Sequence, residues 1–215
     1  MSKKLNTRIE KDSMGSFEVP SDAYYGANTM RAVLNFPISS LKFQIEFIKS
    51  LARIKKAAAL TNLDLGLIDK NIAEQIADAA EKVINGNYDD QFVVDIFQTG
   101  SGTSTNMNIN EVISNIAIEK MNGVIGSKAP VHPNDHVNMG QSSNDVIPTA
   151  IHISALDTIT SQLLPAIEQL ENTLEQKSRE FKNIVKTGRT HLQDATPITL
   201  GQEFLGFAGQ MNRSG

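Results

Sequence analysis

Residues 131–151 read VHPNDHVNMGQSSNDVIPTAI, and the rest of the chain is organised around this stretch. It gathers two His, two Asp, three Asn and two Ser, with few large apolar residues before Val146, and then passes into a long apolar-periodic segment. Short polar side chains this dense, just ahead of a helix, suit a site for a small anion. The first N–H groups of a helix have no partner within it, and Ser and Asn add donors beside them. Residues 100–111 and 186–203 have the same character, so all three stretches are expected to serve one site.

Downstream, the spacing predicts a long helix over 149–182. Leu156, Ile159, Leu163, Ile167, Leu170 and Leu174 recur at intervals of three or four, a seam of roughly 50 Å at 1.5 Å per residue. Pro165 should kink this helix without ending it. So long a seam needs long partners, as in a helix bundle, and the remaining chain is expected to offer none of matching length. His152 reads as a packed or surface residue. Beyond the helix, residues 186–203 read as a polar loop in which Gly188 and Pro197 fix the backbone around Thr190 and His191, with a helix beginning near its end. His191 reads either as a solvated loop residue or as a proton carrier, the role its side chain fits best near neutral pH.

Upstream, residues 124–140 read as a loop, given Gly126, Pro130, Pro133 and Asn134. His132 and His136 stand four apart, which admits a metal reading. Pro133 lies between them, no zincin Glu is present, and no Cys or nearby third His completes a set. Anion contact or loop structure is the expectation for His132, and a structural role for His136. Residues 100–121 predict a helix with Thr103, Asn106 and Asn110 on one face. Ser, Thr and Asn are poor interior residues of a helix because their side chains compete for backbone hydrogen bonds. An N-cap with a solvated face would explain some of them. A helix start facing a ligand explains more, and Gly100 and Gly102 would let backbone approach it closely.

Earlier still, residues 39–62 and 69–84 predict a helical hairpin that acts as scaffold. Phe47, Leu51, Ile54 and Ala58 form the stripe of the first helix. Ile72, Ile76, Ala79 and Val83 form that of the second, with Asp69 as its cap and Asn85-Gly86 as its stop. Residues 1–40 hold no clear helix and read as an irregular arm.

Composition narrows the classes. Of 215 residues, 40% are hydrophobic and 20% charged, an ordinary soluble mixture with a formal charge of −4. No Lys/Arg-rich run offers a nucleic-acid footprint. Cysteine is absent, which removes disulfides, thiolate metal sites and a Cys nucleophile. No apolar run matches a signal peptide or a membrane span, so the expected location is cytoplasmic. With no Trp and three Tyr, the core should be aliphatic and helical. Neither a phosphate-binding Gly-Lys loop nor a GxSxG elbow is present. Ser101, Thr103, Ser142, Ser143, Asn144 and Thr190 as neutral donors, with His191 as acid/base, suit proton chemistry beside a carboxylate, where charge builds on oxygens in the transition state. The residues alone reach a lyase or isomerase acting on a small anion.

The motifs GSGTSTNMNINE (100–111), HPNDHVNMGQSSND (132–145) and GRTHLQDATPITLGQEF (188–204) together resemble class II fumarase, of the fumarase/aspartase superfamily. The opening IEKDSMGSFEVPSDAYYGANTMRAVLNF is similar to that family's N-terminal arm. His191 after Gly-Arg-Thr and His132 before Pro-Asn-Asp resemble fumarase rather than aspartase. The resemblance implies a mainly α fold: an N-terminal lyase domain over 1–140 with an irregular arm, and the beginning of a central long-helix bundle over 141–215. It implies reversible hydration of fumarate to (S)-malate in the tricarboxylic acid cycle, with no metal or organic cofactor, in a homotetramer. Ser101, Gly102, Thr103, Ser142, Ser143, Asn144 and Thr190 would bind the substrate carboxylates, and His191 would be the general acid/base, acting with a bound water. His132, Asn134 and Asp135 would match a secondary anion site, in which the family's usual Arg is replaced here by Ala129 with Lys128 beside it. The family's catalytic Ser loop, Gly-Ser-Ser-x-Met-Pro-x-Lys-x-Asn-Pro, has no match in these 215 residues. Two rivals follow: an aspartase or related lyase that releases ammonia, and a subunit that only assembles or binds dicarboxylates.

Overall fold

The computed structural model describes residues 6–12 and 14–215. It is mainly α-helical and divides into two compact units, Met1–Ser154 and Ala155–Gly215.

The first unit opens with an antiparallel hairpin, β1 (Thr7–Asp12) and β2 (Gly15–Pro20), in which Ile9 pairs with Glu18 and Arg8 with Val19. Helix α1 (Ala27–Asn35) follows. The expectation of an irregular, helix-free arm is therefore corrected. Strand β1, TRIEKD, lacks the apolar alternation that marks a strand, and its order comes from elsewhere. Arg8 donates to the carbonyls of Pro20, Ala23 and Tyr25 and to Glu10, fastening the hairpin to the chain that follows. The start of α1 has no local cap either, because Gly26 brings no side chain to it.

Helices α2 (Ile45–Asp64), α3 (Lys70–Ile84) and α4 (Thr103–Lys120) form the core. Helix α3 matches its expected signals. The Asp69 carboxylate accepts from the N–H groups of Asn71 and Ile72, and the chain leaves the helix through Asn85 and a left-handed Gly86. The buried face of α2 runs through Ile48, Leu51, Ala52, Lys55, Ala59 and Asn62, so a lysine lies within its apolar side.

Helix α4 is buried around most of its circumference, with Ile109, Val112, Ile113 and Ile116 in the hydrophobic core. Several of its polar residues also point inward, to backbone groups of irregular segments. Asn108 bonds the Gln91 carbonyl and the Val93 N–H, Ser114 the Val131 carbonyl, and Asn115 the Tyr24 carbonyl and the Gly126 N–H. Buried polar groups need partners, and these groups are placed to supply them. Of the row expected to face a ligand, Thr103 is exposed, while Asn106 and Asn110 are buried.

Helix α5 (Ser143–Thr158) starts six residues before the predicted 149 and contains Pro148. The Ser142 carbonyl closes its first turn by accepting from Asp145 and Val146. The predicted long helix runs on through a wide π-type turn over Ile159–Leu163 that joins α5 to α6 (Leu164–Glu180), so the segment is irregular beside Pro165 without ending there, as expected. Pro165 has no N–H, and its ring crowds the carbonyl four residues back. A widened turn just ahead of it relieves that crowding.

In the second unit the predicted polar loop is a hairpin, β3 (Val185–Thr190) and β4 (Gln193–Thr199), with a bulge between Thr187 and Arg189. A Cβ on Gly188 would meet the Thr196 carbonyl at 2.7 Å, so the bulge requires glycine there. Helix α7 (Leu200–Ser214) starts at a reciprocal cap between Thr199 and Gln202. Its first turn approaches the end of α6, and its far end reaches back to Glu171 through Asn212 and to Ile167 at Gly215. Helix α7 is thus an antiparallel partner for α6, but its 15 residues cover only part of the predicted 149–182 seam, so among the described residues the chain holds no partner of matching length, as expected. Leu156, Leu163, Leu170, Leu205 and Phe207 nevertheless stay exposed on this unit.

Candidate active site

Two of the three polar stretches come together at the starts of α4 and α5. Ser101, Gly102 and Thr103 lead into α4. The hydroxyls of Ser101 and Thr103 lie 3.0 Å apart, and both residues are exposed. Gly102 has the left-handed φ of +67° as the residue capping α4, and a Cβ there would meet Ile147 of α5 at 2.9 Å. This glycine is needed twice, for its backbone conformation and for the close approach of the two helices. Gly102→Ala should cost about 1–2 kcal/mol of stability, the usual penalty for a non-glycine residue in this region. Urea unfolding measures that cost, and an unchanged midpoint would contradict it.

Ser142, Ser143 and Asn144 stand at the start of α5, with Ser142 and Asn144 exposed and the Ser142 hydroxyl bonded to the Asn144 side-chain oxygen. Behind them Asn106 of α4 donates to the Ser143 hydroxyl (3.1 Å) and to Asn138 (3.2 Å). Two helix starts, each the positive end of its helix, thus carry hydroxyl and amide groups within one neighbourhood. Beside Ser101 and Thr103 opens a cleft of about 390 Å³, lined also by Asn28, Arg31 and Asn35 of α1. Arg31 is held there by Asp12 (2.7 Å) and Asn28 (3.0 Å).

Beneath these groups lies Lys55, which is fully buried. Its Nζ donates to the side-chain oxygens of Asn106 (2.7 Å), Asn138 (2.9 Å) and Gln141 (2.8 Å). Burial pushes its pKa down to about 7. An ammonium has three donors, and here three oxygens receive them, an arrangement that fits the protonated form. Sequence reading missed Lys55, Asn138 and Gln141. The signal available was positional: Lys55 stands four residues after Leu51 and four before Ala59, on the side of α2 that must be buried.

The second unit holds Thr190, at the end of β3, and His191. His191 and Leu192 are the two central residues of the β3–β4 turn, both left-handed at φ +47° and +61°. That turn normally carries Asn-Gly, and two bulky residues in its place strain the backbone. His191 is exposed and Leu192 is 96% exposed, so no packing around the turn accounts for the choice.

The proposed secondary anion residues form one turn on the surface of the first unit, at Pro133–Val137. The His132 Nδ1 accepts from the N–H groups of Asn134 (3.2 Å) and Asp135 (3.1 Å) and so caps this turn. The His136 Nδ1 accepts from the His132 N–H at 2.9 Å, the structural role expected of it. Asn134 and Asp135 are exposed. Lys128, the cation next to Ala129, instead donates to the Lys11 carbonyl of β1.

The sequence model of the lyase family matches residues 15–215, and the chain belongs to that family. It is 56% identical over 206 residues to class II fumarate hydratase of Halobacterium salinarum and 53% identical to that of Thermosynechococcus vestitus, in each case over 96% of this chain and 44% of the relative. Among solved structures it is similar to class II fumarase from Schistosoma mansoni, with a TM-score of 0.90 and 44% identity over 97% of this chain and 44% of that one. A fumarate lyase:delta crystallin structure from Brucella melitensis gives a TM-score of 0.93 at 45% identity, over 97% and 49%. The chain spans under half the length of these relatives.

Proposed function

We propose that this chain carries the anion-binding part of a class II fumarase, whose complete form hydrates fumarate reversibly to (S)-malate. The observation that supports this most strongly is the meeting of two polar helix starts, with Gly102 against Ile147 and Asn106 bonded to Ser143. Ser101, Gly102, Thr103, Ser142, Ser143, Asn144 and Thr190 bind the two carboxylates of the substrate. Charge that develops on a carboxylate during proton removal is stabilised by such preorganised donors. His191 exchanges the proton of the water that adds or leaves, and His132, Asn134 and Asp135 take a second anion through the outer edge of their turn.

Residues 1–140 act as the N-terminal lyase domain and 141–215 open the central bundle. The apolar residues left exposed on the second unit support assembly with further copies, as a homotetramer. Among the described residues no helix is long and apolar enough to cross a membrane; the location we propose for the enzyme is the cytoplasm. The test is to supply the full-length gene product with fumarate, with and without ammonium, and assay malate and aspartate. Malate in both conditions is the expected result. Aspartate as the sole product would replace this reading with an ammonia lyase.

A further inference from the structure

The chemistry above uses no part of Lys55, although burying an ammonium is among the costlier things a fold can do. Its three partners are neutral amides, and among the described residues no carboxylate pairs with it. An apolar residue in its place would leave three buried amide oxygens without a donor, but a neutral donor could serve them, so the charge itself calls for a further account. Its position suggests one. Nζ, Asn106 and the Ser143 hydroxyl form a chain of two contacts, 2.7 and 3.1 Å, from the charge to the start of α5. Asn138 and Gln141, its other partners, belong to the segment that leads into Ser142, and the Asn138 amide also donates to the Gln141 carbonyl.

We propose that Lys55 is a positioning residue for the anion cradle: its buried ammonium fixes Asn106, Asn138 and Gln141, hence Ser143, and leaves a positive charge beneath the cradle that draws an anionic ligand to it. A charge acting through a low-dielectric interior favours a ligand with two negative charges over one with a single charge. Lys55 thereby contributes to selection of dicarboxylates over monocarboxylates, not only to the shape of the site.

The inference rests on the reading of the cradle as a dicarboxylate site, and its test separates the two. In the full-length gene product, calorimetric titration with succinate and with butyrate is compared between the unmodified protein and Lys55→Gln, which keeps hydrogen-bond donors but removes the charge. Succinate affinity should fall ~10- to 100-fold, one to two powers of ten for a lost charge interaction, with a much smaller change for butyrate. A variant that weakens both ligands equally points to shape alone and overturns the proposal. Asn138→Asp provides an independent arm: it keeps Lys55 and the oxygen that Lys55 bonds, gives up only the donation to the Gln141 carbonyl, and sets a carboxylate against Nζ. Its succinate affinity should drop while its melting temperature holds. Unchanged succinate affinity in that variant refutes the role of Lys55, whereas an unmodified protein that binds no succinate refutes the dicarboxylate reading itself.

Discussion

His191→Asn in the full-length gene product should lower kcat by roughly 10²- to 10⁴-fold, the usual contribution of a positioned general acid/base, and should leave the fold intact. Histidine mutations often confuse loss of chemistry with loss of structure, but the geometry here separates the two. His191 occupies the first central position of a tight turn at φ +47° and is exposed. Asparagine enters the left-handed region more readily than histidine, so the variant relieves backbone strain instead of adding it. Its thermal midpoint should equal or exceed that of the unmodified protein. Loss of turnover at preserved or raised stability is the signature of a residue kept for its imidazole. Unchanged turnover would remove His191 from the mechanism.

That turn also marks where sequence reading stopped short. Residues 186–203 read as a polar loop because Gly188, Pro197 and a run of Thr and Gln interrupt every period. Strand pairing across β3 and β4 sets the structure instead, with the bulge at Gly188 absorbing the irregularity. Where the signal was local, reading and structure agree. Asp69 caps α3 and Gly86 ends it, as their spacing implied. Helix α1 shows the opposite case, since nothing near Gly26 announces a start. The groups that satisfy its first N–H donors come from Glu111, more than 80 residues later, and from Glu10. The same contrast holds at the site. Residues 100–103 and 142–144 were legible as donors at helix starts, whereas Lys55 was hidden because its helix carries several other lysines and arginines. The spacing of Lys55, four from both Leu51 and Ala59, is what distinguishes the one that is buried.

The dependence of α1 on Glu111 leads to the largest expected effect on stability. The Glu111 carboxylate is buried and accepts from the backbone N–H groups of Gly26 (2.9 Å), Asn28 (2.9 Å) and Thr29 (3.0 Å). It also accepts from the Thr29 hydroxyl (2.6 Å) and the Asn28 amide (3.0 Å). A carboxylate at the positive end of a helix, taking three orphan donors at once, is both a cap and a counter-charge. Glu111→Gln keeps the volume but turns one oxygen into an NH₂ group that faces the donors it should satisfy. The loss should be on the order of 3–5 kcal/mol, the range for breaking a buried charged arrangement by changing one partner. Glu10 cannot compensate: burial already pushes its carboxyl up, and it is engaged by Arg8 and the Ala27 N–H. Urea unfolding should show the drop, and hydrogen exchange should show the amides of α1 opening well before those of α4. A midpoint within experimental error of the unmodified protein would mean that α1 is held by its packing alone. Because Asn28, Arg31 and Asn35 line the cleft beside Ser101 and Thr103, loosening α1 should also raise KM for the dicarboxylate more than it lowers kcat. One buried carboxylate on α4 thus holds in place a wall of the site that α4 itself begins.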